Sequence, residues 1–373
     1  MQSIYFYDEN HNLGTIEEIT SRYDTPYQQV SNDSFKEIRA ECVKYDINFD
    51  FLASNALKPD DIVIVSNLSP FRRKHWLTNS ISIKNKLLNK RSGFINLQKL
   101  IKRHRETTFL PYLWEAQVTE PKNWEPSEHN KFSNLLVWDT ELVKKNPKKY
   151  KFLNLQSGPL GTQSIKLSAM KKGFSERSNF LSTIVNAKGD YRFNSGYKLR
   201  IDIVSWYGHN ASNNFVLYGG GWPSYLEIAA KNQTIPDRQI ENIRAVYKGT
   251  VADKKTVIDN SKFYLCIENS TDRPGYVTEK FFDALVHQCL PVYLGYPGLY
   301  EFVPKEAYID LRQFNGDVSA MNNYLLKISK SEWEARVEMG QKFLHGEIGN
   351  VERFLPRGIA NQLNVIQLAV NPK

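Results

Sequence analysis

The chain has 373 residues, of which 41% are apolar and 24% charged, a size and composition that exclude a disulfide-stapled miniprotein, a disordered chain and a collagen-like repeat. At about 150 residues per domain, this length favours two or three globular domains. Lysine and arginine number 49 against 40 acidic residues, and the formal charge of +9 favours an anionic partner such as a phosphorylated substrate, a nucleic acid or an acidic membrane surface.

Cysteine usage and the first residues of the chain predict a cytoplasmic location. The three cysteines, Cys42, Cys266 and Cys289, form no Cys-x-x-Cys pair, and no His-Glu-x-x-His sequence suggests a zinc site. The start lacks the basic and apolar regions of a secretory signal, and no apolar run approaches the roughly 20 residues of a membrane-spanning helix. We therefore expect a cytoplasmic protein that is at most peripheral to the inner membrane.

Strand-like and helical patterns alternate through the first third of the chain. Strand-like runs occupy residues 4–8 and 61–67, and a basic helical region covers 84–105. Two further buried strands, in TFLPYLWEAQV (108–118) and LLVWDTELV (135–143), flank a proline-punctuated loop. This alternation predicts a layered α/β domain.

A segment rich in Gly, Ser and Lys at 155–180 is the predicted interdomain linker. After it, a strand at 180–189, a helix at 197–207 and the strand NFVLYGGGW (214–222) begin a second α/β domain, and residues 321–344 and 351–370 are predicted to be helical. We therefore divide the chain into an N-terminal domain (1–165), a C-terminal domain (175–345) and a C-terminal helix that packs on the domains (346–373).

The most informative stretch is KFYLCIENSTDRPGYVTEKFFDALVHQCLPVYLG, residues 262–295. FYLCI predicts a buried strand, Pro274-Gly275 a turn, Thr278 a helix cap and LPVYL the next strand. In open α/β sheets ligands bind beyond the carboxyl ends of the strands. The polar residues predicted at that position are Glu268, Asn269, Tyr276, Glu279 and Lys280.

Two interpretations of this helix start are open from the residues alone. Free N–H groups and the positive end of the helix dipole at Thr278 suit a phosphate. Thr followed by Glu is also ordinary capping chemistry, in which case Lys280 is a solvated surface residue.

The same stretch resembles the donor-binding motif of the α-1,3-fucosyltransferases, glycosyltransferase family 10. The shared order is Glu-Asn-Ser, a Pro/Gly loop, Tyr-Val-Thr-Glu-Lys, a helix and Pro-Val-Tyr-Leu-Gly. The resemblance continues in YKGTVADKKTVIDNSKF (247–263) and FVPKEAYIDLRQF (302–314), and NAK (186–188), YKLR (197–200) and VLYGGGW (216–222) resemble the bacterial branch of the family. It covers about residues 110 to 315, and the first hundred residues have no match.

This resemblance implies a GT-B architecture, an α/β fold of two Rossmann-like domains that face each other across a cleft. GDP-fucose would be held by the C-terminal domain, and fucose would be transferred with inversion to a hydroxyl of an oligosaccharide or glycolipid acceptor, in α-1,3 or α-1,4 linkage. Such a role belongs to glycan or lipopolysaccharide biosynthesis.

The resemblance also assigns donor-side residues by position. Lys280 and Arg200 would contact the diphosphate, Asn269 and Tyr276 would line the nucleotide-sugar site, and Glu279 would face the fucose. Glu268, Asn186 and Lys188 are further donor-binding candidates, and Arg192 is an alternative to Arg200.

The chemistry of fucosyl transfer requires such groups independently of the resemblance. Loss of GDP from an anomeric carbon develops negative charge on phosphate and positive charge on the sugar, so cations and a nearby carboxylate stabilise the transition state. No Asp-x-Asp sequence occurs, so the metal–diphosphate clamp of other transferases has no support in the sequence. We expect no required cofactor, with side chains and the helix terminus neutralising the leaving group and a divalent metal ion at most stimulatory.

An inverting displacement also needs a general base for the acceptor hydroxyl. In the family this base is a Glu in a Glu-x-Pro segment after an apolar strand. Here YLWEAQVTEP (112–121) offers Glu115 and Glu120, neither with Pro two residues later. Glu115 directly follows the strand and keeps the family's distance to Pro121, whereas Glu120 gives the better gapless match to SNLLVW. We favour Glu115.

Three alternatives remain. A GT-B transferase of this type can use a different nucleotide-sugar, and the altered Glu-x-Pro segment is compatible with an inactive relic that binds glycan or nucleotide. The basic clusters FRRKHW (71–76) and KRHR (102–105) suggest nucleic-acid or anionic-membrane contact. We take a solvated helix face as the better interpretation of these clusters and expect no nucleic-acid partner.

Overall fold

The computed structural model describes residues 2–7, 16, 26–52, 57–71, 97–155, 172–188 and 195–370. The chain divides into two compact units. The first contains Met1–Asp24, Gln28–Gly161 and Arg353–Lys373, and the second contains Thr25–Tyr27 and Thr162–Glu352. The boundary between residues 161 and 162 lies inside the predicted linker, of which residues 156–171 are outside the described part of the chain.

The first unit is built on a sheet of six parallel strands in the order β2-β1-β3-β4-β5-β6. The strands are β1 (Gln2–Tyr7), β2 (Ile47–Phe51), β3 (Ile62–Ser66), β4 (Thr108–Tyr112), β5 (Leu135–Val137) and β6 (Tyr150–Phe152). β3 is buried along its whole length, as expected of a β-branched run in the middle of a parallel sheet. The strands predicted within 4–8, 61–67, 108–118 and 135–143 are confirmed.

The second unit holds a sheet of five parallel strands in the order β11-β10-β9-β7-β8. They are β7 (Asn179–Ile184), β8 (Phe215–Tyr218), β9 (Ser261–Ile267), β10 (Leu290–Leu294) and β11 (Ile309–Asp310). The strands predicted at 180–189, in NFVLYGGGW, in FYLCI and in LPVYL correspond to β7, β8, β9 and β10. β9 is buried from Phe263 to Ile267 because its apolar run lies between neighbours on both sides.

Helices join the strands of both sheets. In chain order they are α1 (Pro26–Cys42), α2 (Leu97–Arg103), α3 (Pro126–His129), α4 (Thr140–Lys145), α5 (Gly196–Asn210), α6 (Trp222–Lys231), α7 (Asp237–Val246), α8 (Lys254–Ile258), α9 (Glu279–Val286), α10 (Val318–Lys327), α11 (Lys330–Leu344) and α12 (Pro356–Val370). The helices predicted at 197–207, 321–344 and 351–370 are confirmed as α5, as α10 with α11, and as α12. Of the basic region at 84–105, residues 84–96 lie outside the described chain, and the described remainder contains α2.

The C-terminal helix belongs to the first unit. The backbone N–H of Asn154, just after β6, donates a 2.9 Å hydrogen bond to Oε1 of Gln362 on α12. No helix among the described residues is long and apolar enough to cross a bilayer.

The strand order creates one distinctive position in each sheet. In the second sheet, the connection from β7 leads to β8 at one edge, whereas β9, β10 and β11 extend toward the other edge. A reversal of this kind leaves a crevice outside the carboxyl ends of the two strands between which it occurs. The residues that follow β7 and β9 therefore flank such a crevice, and the corresponding reversal in the first sheet lies between β1 and β3.

Gly208→Ala tests the packing of α5 on α7. Alanine exceeds glycine in helix propensity by about 1 kcal/mol, which alone would stabilise α5. A Cβ at position 208, however, would overlap the backbone oxygen of Asn242 on α7, and packed helical backbone moves away only at a cost. We expect a net loss of about 2 kcal/mol in the free energy of unfolding, measured by urea denaturation with circular dichroism.

Gly340→Ala is the matched control, because it makes the same change inside α11. There the new Cβ would meet Cδ2 of Leu285 at 2.8 Å, the end of a side chain that can rotate. Its loss of stability should be clearly smaller, and equal losses in the two variants would contradict the proposed backbone clash.

Candidate functional site

The predicted donor-side residues lie around the reversal point of the second sheet. Those that follow β7 are Asn186 and Lys188, and those that follow β9 are Glu268, Asn269, Tyr276, Glu279 and Lys280. Arg200 is on α5 and points back to this edge, where it bonds to the end of β9. Arg192, the alternative to Arg200, lies outside the described residues.

Close backbone contact fixes α5 against the loop that follows β9. Ser195 forms an antiparallel bridge with Ser270, and the N–H of Gly196 donates to the carbonyl oxygen of Asn269 at 3.0 Å. A Cβ at position 196 would overlap the carbonyl oxygen of Glu268, so a glycine is required at this contact. The helix that carries Arg200 therefore starts directly on the Glu268–Asn269 backbone.

Glu268 is a buried carboxylate with 0% exposure at the end of β9. Its Oε1 accepts the backbone N–H of Thr278 at 2.7 Å, and its Oε2 accepts the Thr278 hydroxyl at 2.8 Å. Gly295, after β10, leaves room for this side chain, since a Cβ there would lie 2.5 Å from Cγ of Glu268. Glu268 thus ties the end of β9 to the start of α9.

Burial raises the pKa of Glu268, with the charge of Glu279 acting in the same direction. The positive charge of Lys280 and the two hydrogen bonds from Thr278 oppose that rise but do not cancel it. Lys280 is the cation that faces this carboxylate, with Nζ 3.6 Å from Oε2.

Lys280 and Glu279 form the charged start of α9. Nζ of Lys280 donates to the Thr278 hydroxyl oxygen at 3.0 Å and lies 3.5 Å from Oε1 of Glu279. Burial lowers the pKa of Lys280, but the charges of Glu279 and Glu268 more than compensate, so its pKa is raised and the amine stays protonated. For Glu279 burial acts to raise the pKa, yet Lys280, Lys254 and its own backbone N–H bring it to about 2, so this carboxylate is ionised at neutral pH.

Arg200 is 5% exposed and is anchored by the end of β9. Its Nε donates to the carbonyl oxygen of Ile267 at 3.1 Å, its Nη2 donates to the same oxygen, and Nη2 also donates to Oδ1 of Asn269 at 2.9 Å. Within the described residues, Nη1 donates no hydrogen bond. Burial lowers the pKa of Arg200, but a guanidinium remains protonated across the physiological range.

The structure therefore brings Arg200, Asn269, Glu268, Glu279 and Lys280 into one cluster. Tyr276, 2% exposed, lies in the turn before α9, where its N–H donates to the carbonyl oxygen of Arg273 at 3.1 Å. Asn186 is bound elsewhere, with Oδ1 accepting the N–H of Gly220 at 2.8 Å in the glycine loop after β8, and Lys188 is exposed.

The predicted open helix terminus needs a correction. Thr278 is the residue before α9, but its side chain makes no cap hydrogen bond to the helix. Its N–H and its hydroxyl both bind Glu268, so these two groups of Thr278 are not available to a phosphate. The groups suited to an external anion are therefore Lys280 and Nη1 of Arg200.

Both candidate general bases lie in the first unit and are half-buried. Glu115 is three residues beyond the end of β4, and Glu120 immediately precedes a 3-10 turn at Pro121–Trp124. Among the described residues, no group of three or more His, Cys, Asp or Glu side chains is placed to hold a metal ion.

Sequence patterns did not identify three parts of this site. Gly196 and Gly295 allow the backbone to approach Glu268, and Lys254 on α8 bonds Oδ2 of Asp283 at 3.1 Å while lowering the pKa of Glu279. A single glycine beside a helix start or after a strand carries a weak signal, and Lys254 is distant in sequence from the charges it affects. The fold is needed to show that these three residues lie near Glu268 and Glu279.

Comparison with known proteins gives matches in sequence and in fold. The profile of the C-terminal region of glycosyltransferase family 10 (fucosyltransferase) matches residues 238–336. The mouse 4-galactosyl-N-acetylglucosaminide 3-alpha-L-fucosyltransferase 9 is 30% identical over 114 residues, which are 29% of this chain and 31% of the relative. The human protein of that name is 29% identical over the same length. The chain thus matches less than a third of these curated relatives.

Solved structures show where the fold recurs. A crystal structure of an α-1,3-fucosyltransferase superposes with a TM-score of 0.55 at 14% identity, over 100% of this chain and 90% of the other. The trehalose-6-phosphate synthase OtsA superposes with a TM-score of 0.53 at 10% identity, over 96% of this chain and 81% of the other. At such low identity the likeness concerns the fold, an α/β fold with two parallel sheets of the GT-B type, as the resemblance implies.

The profile match begins on α7 and includes β9, the turn and α9, and with them every residue of the charged cluster except Arg200 on α5. Residues 238–336 are thus similar to the C-terminal region of glycosyltransferase family 10, and the likeness to the solved structures concerns the fold.

Proposed function

We propose that this chain transfers fucose from GDP-fucose to a hydroxyl of an oligosaccharide or glycolipid, with inversion at the anomeric carbon. The observation that carries the proposal is the cluster of Lys280 and Arg200 at the carboxyl end of β9, because it combines two protonated groups with a family-matched segment. The named activity of the curated relatives supports the same donor sugar and suggests a galactosyl-N-acetylglucosamine acceptor.

Lys280 and Arg200 would bind the diphosphate of the donor. Lys280 supplies a point charge, whereas Nη1 of Arg200 supplies N–H donors whose direction is set by the bonds to Ile267 and Asn269. As the bond to fucose breaks, negative charge grows on the phosphate, and these groups stabilise it without moving. With two cations in place, we propose that no metal ion is required and that a divalent ion at most stimulates transfer.

Glu279 and Glu268 would have different roles in this reaction. Glu279 is ionised and 36% exposed, so it is suited to face the positive charge that develops on the fucose ring. Glu268 is fully buried and bonded to Thr278, so we assign its part in donor binding to holding Thr278 and Lys280 in place.

Lys280→Ala should weaken GDP-fucose binding about 30-fold, or about 2 kcal/mol, because it removes a charged contact with phosphate and leaves two carboxylates near the site. Lys280→Arg, which keeps the charge, should lose less. The measurement is calorimetric titration of GDP-fucose, GDP-mannose and UDP-galactose. Lys342→Ala, which removes an exposed lysine on α11, is the control.

Two outcomes count against this donor site. Equal affinity of wild type and Lys280→Ala for GDP-fucose would remove Lys280 from the site. Failure of the wild-type chain to bind any GDP-linked sugar would overturn the proposed function.

Glu115→Gln should lower kcat of fucosyl transfer by at least about 100-fold, because the amide cannot accept the acceptor proton. The affinity for GDP-fucose should stay unchanged. The assay uses GDP-fucose with β-galactosyl-(1→4)-N-acetylglucosamine, and Glu120→Gln is the matched control, with an expected effect below about threefold. A larger loss in Glu120→Gln than in Glu115→Gln would assign the base to Glu120 instead.

A further inference from the structure

Asn67 occupies the end of β3, at the reversal point of the first sheet. Its φ of 65° is left-handed, a conformation that asparagine tolerates better than most residues. Its backbone N–H donates to the carbonyl oxygen of Tyr112 at 2.7 Å, which joins the end of β3 to the end of β4. The Asn67 side chain thereby lies beside the residues that follow β4.

Side chains hold both main-chain polar groups of Glu115. Oδ1 of Asn67 accepts the Glu115 N–H at 2.9 Å, and Nε1 of Trp124 donates to the Glu115 carbonyl oxygen at 2.8 Å. The first of these partners is 48 positions away in the sequence and the second is 9 positions away. Glu115 is thus fixed by two separate parts of the fold at a point where strand pairing has ended.

A buried residue fixes Asn67 in turn. Nδ2 of Asn123, which is 0% exposed, donates to Oδ1 of Asn67 at 2.6 Å, and Oδ1 of Asn123 accepts the N–H of Leu68 at 2.9 Å. Both ends of the Asn123 amide are therefore used. Such a satisfied buried pair is rigid, because any displacement leaves polar groups without partners in a low-dielectric interior.

His129 completes this network. Its Nε2 lies 2.6 Å from the carbonyl oxygen of Asn123, and its Nδ1 lies 2.9 Å from the hydroxyl of Tyr150 on β6. Burial lowers the pKa of His129, which favours the neutral ring. Since a carbonyl only accepts, Nε2 carries the proton and Nδ1 accepts from the Tyr150 hydroxyl.

The backbone of Glu120 bonds within its own turn. Its N–H donates to the carbonyl oxygen of Ala116 at 3.0 Å, and its carbonyl oxygen accepts the N–H of Asn123 at 3.0 Å. Side chains from Asn67 and Trp124 bind the backbone of Glu115. The two glutamates, both half-buried, thus differ in the groups that bind their main chain.

We propose that Asn67 is a positioning residue for Glu115, holding it where its carboxylate can remove the acceptor proton; this inference rests on the proposed function. A general base acts only within hydrogen-bond reach of its proton, and a displacement of about 1 Å can cost about 100-fold in rate. Asn67 acts through the Glu115 backbone, and Asn123 keeps Asn67 in place.

Asn67→Gly tests this role, because glycine accepts a φ of 65° and the variant removes the oxygen that accepts both the Glu115 N–H and Nδ2 of Asn123. We expect kcat for transfer from GDP-fucose to β-galactosyl-(1→4)-N-acetylglucosamine to fall by about 100-fold. The calorimetric affinity for GDP-fucose should be unchanged. Asn315→Gly, at another left-handed asparagine (φ 49°) in the second unit, is the matched control and should keep wild-type kcat.

Asn67→Asp separates positioning from a purely structural loss. Aspartate keeps the acceptor for the Glu115 N–H and tolerates the left-handed conformation, so kcat at its optimum should return to within about fivefold of wild type. Its added negative charge should raise the pKa of Glu115 and move the acid limb of the pH profile of kcat to higher pH. A residue that only stabilised the fold would lower the fraction of folded chain that binds GDP-fucose, whereas a positioning residue lowers kcat in a chain that still binds the donor.

The outcomes separate the two claims. If the wild-type chain transfers fucose or hydrolyses GDP-fucose, and Asn67→Gly has the same kcat, the positioning role is overturned. The proposed function then still stands. An Asn67→Asp variant as slow as Asn67→Gly, with an unshifted acid limb, also overturns the positioning role. If the wild-type chain neither transfers fucose nor hydrolyses GDP-fucose, the proposed function is overturned, and the inference fails with it.

Discussion

The carboxylate of Glu268 lies fully inside the second unit, bonded through both oxygens to Thr278 and 3.6 Å from the amine of Lys280. A buried carboxylate without partners costs several kcal/mol, so the turn at Pro274-Gly275 and the start of α9 must form for β9 to end as it does. Gly196 and Gly295 lie against the same residue, where a Cβ at either position would overlap atoms of Glu268. The position of Lys280 follows from this interaction, because its amine bonds to the same Thr278 hydroxyl.

The charges around Glu268 are fixed by contacts within the chain. Lys280 remains protonated and Glu279 ionised, because each lowers the electrostatic cost of burying the other. Arg200 is directed by backbone and by Asn269, so its orientation does not depend on a bound ligand. An incoming diphosphate would thus meet cations that are already oriented, which reduces the reorganisation needed during the reaction.

Much of the fold was accessible from the sequence, for identifiable reasons. Continuous apolar runs such as FYLCI and DIVIVSN predict buried parallel strands, and β9 and β3 confirm this. The Pro274-Gly275 turn is confirmed with Gly275 at a φ of 86°. Thr278 is at the predicted cap position, but the predicted side-chain cap bond is absent, because the Thr278 hydroxyl donates to Glu268. The Asn67–Glu115 contact could not be predicted from the sequence either, since it joins residues 48 positions apart.

The most direct test of the donor site is hydrogen–deuterium exchange of the full chain with and without GDP, followed by mass spectrometry. We expect GDP to slow amide exchange in peptides covering residues 195–200 and 268–280, where Arg200 and Lys280 are anchored. Protection by GDP elsewhere in the chain, with unchanged exchange in both of these segments, would contradict it.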